Sequence, residues 1–233
     1  MGRVLPIFGV AFILAAAAML PLRIALGWMD ADQAGLSARA VEGAVWGGSL
    51  IDARFRGLRL GDARAGLDVV GGGLRLAADG ELRGRGVVGG SAGGLSLRGV
   101  DAELSLERVA GGLPIGGRAH FRSFEAEFRR DGCRRAGGEV RLREVTLSGA
   151  PLAGLQLGGR ASCQGGVLVV PLAGQSGGAA VDAVLRIDAA GRYQLDTRLR
   201  ATDPVVQAAA AAAGFARGLD GFARTDRGRL SGA

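Results

Sequence analysis

From Ile51 to Leu199 apolar side chains keep returning at every second position, and glycine cuts the runs. That period of two places one side of the chain toward a core and the other toward water, as in a half-buried β-strand. Ile51, Ala53 and Phe55 alternate with Asp52, Arg54 and Arg56. Val100, Ala102, Leu104 and Leu106 alternate with Asp101, Glu103, Ser105 and Glu107. The same pattern holds for Val181, Ala183, Leu185 and Ile187, and for Tyr193, Leu195, Thr197 and Leu199. Ala119 and Phe121 are followed by Phe124, Ala126 and Phe128, so the phase slips at Arg122-Ser123; a second slip lies at Arg143-Glu144. Both predict β-bulges. Turns are expected at Gly71-Gly72-Gly73, Gly111-Gly112, Gly137-Gly138 and Gly177-Gly178. With 43 glycines in 233 residues a helical protein is disfavoured. The expectation is an all-β, antiparallel, glycine-rich protein of roughly ten strands. A curled sheet, an open half-barrel and two facing sheets all satisfy the pattern. One short Ala-rich helix is predicted from Asp203 to Gly214, with Asp203 as N-cap, Pro204 at N1 and Gly214 past the end. The tail beyond Phe222 is expected to add a last strand.

Ahead of this region, Val4 to Leu22 carries no charge and is flanked by Arg3 and Arg23. As a helix it would reach about 28 Å, close to the thickness of a bilayer's hydrocarbon core. The run reads as an uncleaved signal anchor, with Trp28 placed like an interfacial residue. A cleaved signal peptide is the competing reading, with Ala15–Ala18 as its cleavage site, but Met19, Leu20 and Leu22 carry the apolar stretch past it. A buried core helix is a third, weaker reading, because such a helix normally shows a polar face. The domain division expected is 1–28 as an N-terminal transmembrane helix and 29–233 as a translocated β-rich domain.

The formal charge of +7 does not make this a nucleic-acid binder. All 29 basic residues are arginine, they are scattered along polar faces, and aromatics are few, so stacking platforms for bases are not expected. A solvated charged face, with loose attraction to anionic lipid heads, fits better. Gly84-Arg85-Gly86-Val87-Val88-Gly89 matches the dinucleotide-binding glycine pattern, but in a chain this rich in glycine such a match arises about once by chance. Gly174-Gln175-Ser176-Gly177-Gly178 matches a nucleophile elbow. The single histidine, His120, precedes Ser176 and no helix pattern follows it, so a hairpin turn is the better reading. No catalytic residue, cofactor site or metal site is assigned, and no enzymatic activity or small-molecule substrate is expected. Cys133 and Cys163 are the only cysteines, and in a translocated chain such a pair is expected to form a disulfide. Trp46, between Val45 and the pair Gly47-Gly48, is expected to be a structural core residue.

Several segments, in order, carry a family resemblance. They are Pro21-Leu22-Arg23-Ile24-Ala25-Leu26-Gly27-Trp28, Leu36-Ser37-Ala38-Arg39 through Gly43-Ala44-Val45-Trp46-Gly47-Gly48-Ser49-Leu50, and Leu58-Arg59-Leu60-Gly61-Asp62-Ala63. The two cysteines follow, then Val169 to Gly177, Gly191-Arg192-Tyr193, Asp203-Pro204 and Gly214-Phe215. In these the chain resembles the protein N subunit of the bacterial type II secretion system, the general secretory pathway protein N family. The resemblance implies a single-pass protein of the cell inner membrane with a periplasmic domain. It also implies an accessory role in secretion, exercised by binding other components of the apparatus. The alternative is a periplasmic β-groove protein that handles lipid or lipid-like ligands. The two differ in whether the apolar face of Val100, Ala102, Leu104, Leu106, Phe124 and Phe128 is covered or lines an open trough. The C-terminus departs from the family in ending at Ser231-Gly232-Ala233 without a long apolar strand, which leaves closure of the sheet edge open.

Overall fold

The computed structural model describes residues 19–28, 36–55, 58–68, 71–91, 94–106, 115–147, 150–152 and 154–229. Of the predicted span Val4–Leu22, everything up to Ala18 lies outside the described residues, as do Gly111-Gly112 and Ser231 to Ala233. Among the described residues no helix is long and apolar enough to cross a membrane.

After a short helix α1 (Leu22–Trp28) the described residues are mostly strand. The first half comprises β1 (Leu36–Ser37), β2 (Ala40–Ala44), β3 (Gly47–Phe55), β4 (Leu58–Asp68), β5 (Gly73–Asp79), β6 (Leu82–Ser91), β7 (Gly94–Ser105), β8 (Ile115–Arg129) and β9 (Gly132–Leu147). The second half comprises β10 (Ala150–Pro151), β11 (Leu157–Arg160), β12 (Ser162–Gln164), β13 (Val167–Ser176), β14 (Ala179–Ile187) and β15 (Arg192–Ala201), then helix α2 (Pro204–Ala212), β16 (Ala216–Gly218) and β17 (Gly221–Arg229). All pairings are antiparallel, and the long strands lie in the sheet in the order they occur in the chain. From β9 the meander passes through β11 to β13, β14, β15 and β17. The sheet is open: β1 and β2 flank β3 at one edge, and β16 and β17 form the other.

Bulges cross this sheet in a line. The register slips between Arg85 and Val87 on β6, between Leu97 and Val100 on β7, and between Arg122 and Glu125 on β8. The residues at the slips on β7, β8 and β9 are Gly99, Ser123 and Gly138, all with positive φ. Beyond them β11 and β12 part at Ala161, whose amide donates to the Gly138 carbonyl at 3.1 Å. Each bulge bends its strand and raises the local twist, so an aligned row curls the sheet along one line. Glu144 (φ 52°) marks the second predicted slip, on β9. A bulge not read from the sequence sits at Asp52 (φ 51°) on β3, and it corrects the phase there: Leu50 and Ala53 are buried, not Ile51 and Ala53. Gly137-Gly138, expected as a turn, instead lies inside β9, which continues unbroken through the bulge.

The apolar side of the sheet holds two clusters. Leu50, Ala53, Ala63 and Ala65 pack with Leu22 and Leu26 of α1 at the N-terminal end. The larger cluster runs from Ala119 and Phe124 on β8 to Leu199 and Phe222, and takes in Ala210 of α2 and Ala213 at its C-cap. Between them lies β6, where Gly84 and Gly86 pair with Ala102 and Ala78 and with Leu76. Glycine offers no side chain to bury, so the core thins along this strand. Helix α2 starts as predicted: the Asp203 carboxylate accepts from the Val205 amide at 2.8 Å, Pro204 follows, and Gly214 (φ 78°) ends the turn. Its small buried face lets the helix lie close on the sheet.

Cys133 at the start of β9 is joined to Cys163 on β12, with Cα atoms 5.6 Å apart. The Cys133 amide also donates to the Gly166 carbonyl at 2.7 Å, so the bridge staples the turn between β12 and β13 onto β9. Replacing both cysteines by serine is expected to lower stability by about 3–4 kcal/mol, from the entropy of an open loop in the unfolded chain. Equilibrium urea unfolding under non-reducing conditions measures it.

Candidate functional site

Ser176 ends β13 and pairs with Ala179 across the Gly177-Gly178 turn, so it is a hairpin residue with no strand–turn–helix around it. The Gly84–Gly89 match lies wholly inside β6, flanked by β5 and β7, and has no helix N-terminus to receive a phosphate. His120 stands on the polar face in a cross-strand row with Asp79, Arg83, Glu103 and Arg141. Its Nδ1 lies 3.7 Å from a Glu103 carboxylate oxygen, and the Arg83 guanidinium is 2.7 Å from Asp79. Asp79, Arg83 and Glu103 alternate in sign along the row, which faces water, where an ion pair contributes about 0–1 kcal/mol. It explains His120 as a rung of a charge ladder. Among the described residues no three His, Cys, Asp or Glu side chains are grouped to hold a metal ion.

The expectation for Trp46 is corrected. Trp46 is 47% exposed, and its neighbour Val45, at 1%, takes the buried position. The two form the tip between β2 and β3, and successive residues point to opposite sides of a sheet. The inner side is where the chain arrives from its N-terminal run. The Val45 amide donates to the Leu20 carbonyl at 2.8 Å, and Pro21 forms a bridge with Ala44. Leu22 then packs over Gly48, where a Cβ would stand 2.7 Å from the Leu22 side chain and 2.4 Å from the Glu42 carbonyl oxygen. The Val45 carbonyl accepts from the Leu67 amide at 2.9 Å, fixing the tip to β4. With the inner place filled, the indole goes outward, into a shallow hollow of about 610 Å³ that also includes Glu42, Arg64 and Arg75. The glycine pair after Trp46 was the legible sign of a tight approach. The strap Leu20-Pro21 was not legible, because nothing in its composition tells a docked segment from the end of an apolar run.

Among the described residues, three surfaces stand out for binding. One is the hollow at the Trp46 tip. Another is the outer edge of β17, where β16 covers only Gly221 to Ala223. The third is a hollow of about 670 Å³ among the turns at one end of the curled sheet, with Leu95, Phe128 and Ile187 on its apolar side and Arg129, Arg130 and Arg192 at its rim. Leu95 is 48% exposed there. Of the face named as the test of a trough, Phe124 is buried, while Val100, Ala102, Leu104, Leu106 and Phe128 are half-buried. Asp188 organises the rim: its carboxylate accepts from the Ala190 and Arg192 amides, both at 2.9 Å, and from Arg192 Nε at 2.7 Å. The Arg192 side chain first, then those amides, hold Asp188 below the usual carboxylate range.

A family model described as type II secretion system (T2SS), protein N, matches residues 34–225, more than half of the chain. No curated protein and no solved structure matches it.

Two outcomes follow from this geometry. Val45→Ala is expected to cost about 2 kcal/mol by opening a cavity under the strap, whereas Trp46→Ala costs less than about 1 kcal/mol; thermal unfolding of both variants compares them. Asp188→Asn is expected to destabilise the fold at neutral pH. A carboxylate with a depressed folded-state pKa contributes its stability above the unfolded value and loses it as pH falls through the folded one. The gap between Asp188→Asn and the parent should therefore close in acid, as read by unfolding midpoints from neutral pH down through the carboxylate range.

Proposed function

Because this chain belongs to the type II secretion system protein N family, we propose that it is an accessory inner-membrane component of the apparatus that acts by binding other envelope proteins. The Val4–Leu22 run serves as its single-pass anchor and the β-domain stands in the periplasm. The domain performs no catalytic step: it supports the passage of folded proteins from the periplasm across the outer membrane.

The observation that carries the binding mode is the open edge of β17. From Arg224 to Arg229 this strand has β15 on one side and, among the described residues, no strand on the other. Its outward main-chain groups can accept an additional strand from another protein. Arg227 and Arg229 are exposed along this edge, and charged side chains there discourage indiscriminate pairing while leaving a partner with complementary charge free to add. A second reading, the handling of lipid-like ligands in a β-groove, is favoured by the hollow beside Leu95, Phe128 and Ile187.

One experiment separates them. A photo-reactive phenylalanine is placed at Arg227 or at Leu95 in the full chain, in secreting cells. The protein-binding reading expects a discrete adduct with another secretion component at Arg227. A lipid adduct at Leu95, with none at Arg227, would replace it by the second reading. Ser176→Ala and His120→Ala strains are expected to secrete at the parental level; loss of secretion by Ser176→Ala at normal protein abundance would call for a catalytic role instead.

A further inference from the structure

The tip between β2 and β3 is tied to the end of the N-terminal apolar run by main-chain contacts. Val45 donates to Leu20, Ala44 bridges to Pro21, and Leu67 donates to Val45 from the other side. Side chains next to this junction are apolar and exposed: Met19 at 80%, Ile24 at 38% and Trp46. The hollow beside Trp46 includes Arg64 and Arg75, against a single carboxylate, Glu42. Arg23 is also exposed at the junction. Arg75 is 3.5 Å from Asp68, whereas Arg64 has no ion pair among the described residues.

We propose that this tip is a membrane-contact site, in which Trp46 sits at headgroup depth in the bilayer that anchors the chain and Arg64, Arg75 and Arg23 face anionic lipid headgroups. The inference rests on the anchor reading given above. If the run that begins at Val4 crosses the hydrocarbon core, it leaves the core before Leu22, which is buried in the domain's own apolar cluster, and Leu20 lies within about one helical turn, roughly 5 Å, of the boundary. Val45 is hydrogen-bonded to Leu20, and Trp46 is the next residue, about 3.8 Å further along the chain from Cα to Cα. The headgroup layer on each side of the core is roughly 5–8 Å thick. An indole held at that distance falls within the layer where tryptophan is enriched, with its ring against the acyl boundary and its N–H toward water. Arginines near such a surface add attraction to anionic lipids. The exposure of Trp46 and the occupation of the inner site by Val45 then have one explanation: the inner position holds the domain to its own strap, and the outer position holds it to the membrane. The β-domain would stand on the bilayer at a fixed tilt, not swing from a free linker.

The test uses the full chain carrying Trp28→Phe, so that Trp46 is the sole tryptophan, reconstituted into phosphatidylcholine vesicles with and without phosphatidylglycerol. The lipids carry bromine either near the headgroup or deep in the acyl chain. The expected result is a blue-shifted Trp46 emission, quenched by the shallow bromines more than by the deep ones, with stronger quenching when phosphatidylglycerol is present. In parallel, alkaline carbonate is used to challenge the vesicles. Retention of the protein without shallow quenching of Trp46 overturns the contact alone. Release by carbonate overturns the anchor reading and the contact with it. Should Trp28→Phe fail to fold, the parent is compared with Trp46→Phe: the contact requires that the shallow-quenched part of the emission disappear with Trp46, and its persistence overturns the proposal.

Discussion

A bulge in a β-sheet leaves an amide out of the regular ladder, and this fold depends on what takes it. At Asp52 the amide donates to the Asp62 carboxylate on β4 at 3.1 Å, and at Ser123 it donates to the Asp101 carboxylate on β7 at 2.8 Å. In both cases an aspartate on the preceding or following strand accepts a donor that has been turned outward by a left-handed residue. Hydrogen bonds to a charged acceptor are the stronger kind. They allow non-glycine residues to hold a positive φ in the middle of long strands. The curl of the sheet follows from these fixed bulges, and the position of every side chain beyond them follows from the phase they set.

The curl is what gives the apolar face a shape. Helix α1 closes over β2 to β5 and α2 packs near β15, so both ends of the face are capped by short helices with small buried surfaces. Between them, β6 contributes glycine at the positions that point inward, and the hydrophobic cluster is interrupted there. The polar side carries rungs of alternating charge such as Asp79, Arg83 and Glu103, which are worth little individually but keep the outer surface hydrated. Function on such a scaffold lies at its margins: an open edge at β17, a tip at Trp46, and an apolar hollow at the turns.

Much of this was legible because period-two alternation is a direct physical consequence of strand geometry. The strands β7, β8, β9, β14 and β15 and the phase slips at Ser123 and Glu144 could be read from spacing, and the helix caps at Asp203 and Gly214 from residue type. Two kinds of feature could not. The bulge at Asp52 interrupts a run whose apolar residues, Leu50, Ile51 and Ala53, tolerate either phase, so composition does not reveal which of them faces inward. Trp46 shows the second kind. Its size argues for burial, but burial is decided by which neighbour meets the incoming strap, and that contact joins segments more than twenty positions apart. The same holds for Gly137-Gly138: a glycine pair signals a backbone departure, and only the strands on either side decide whether that departure is a turn or a bulge.

The sequential order of the strands also bears on how the domain is made. Each long strand finds its neighbour among residues synthesised shortly before it, so the sheet can extend from β3 toward β17 as the chain emerges. Pairings of this kind close short loops and form quickly. At every stage, however, the newest strand presents an unpaired edge, and the growing sheet stays open to the wrong partner until the next hairpin arrives. The arginines spread along the polar side of nearly every strand lie at each of these successive edges in turn. In the finished molecule they are surface residues, and charge of this kind beside an unpaired strand edge discourages pairing with a wrong partner.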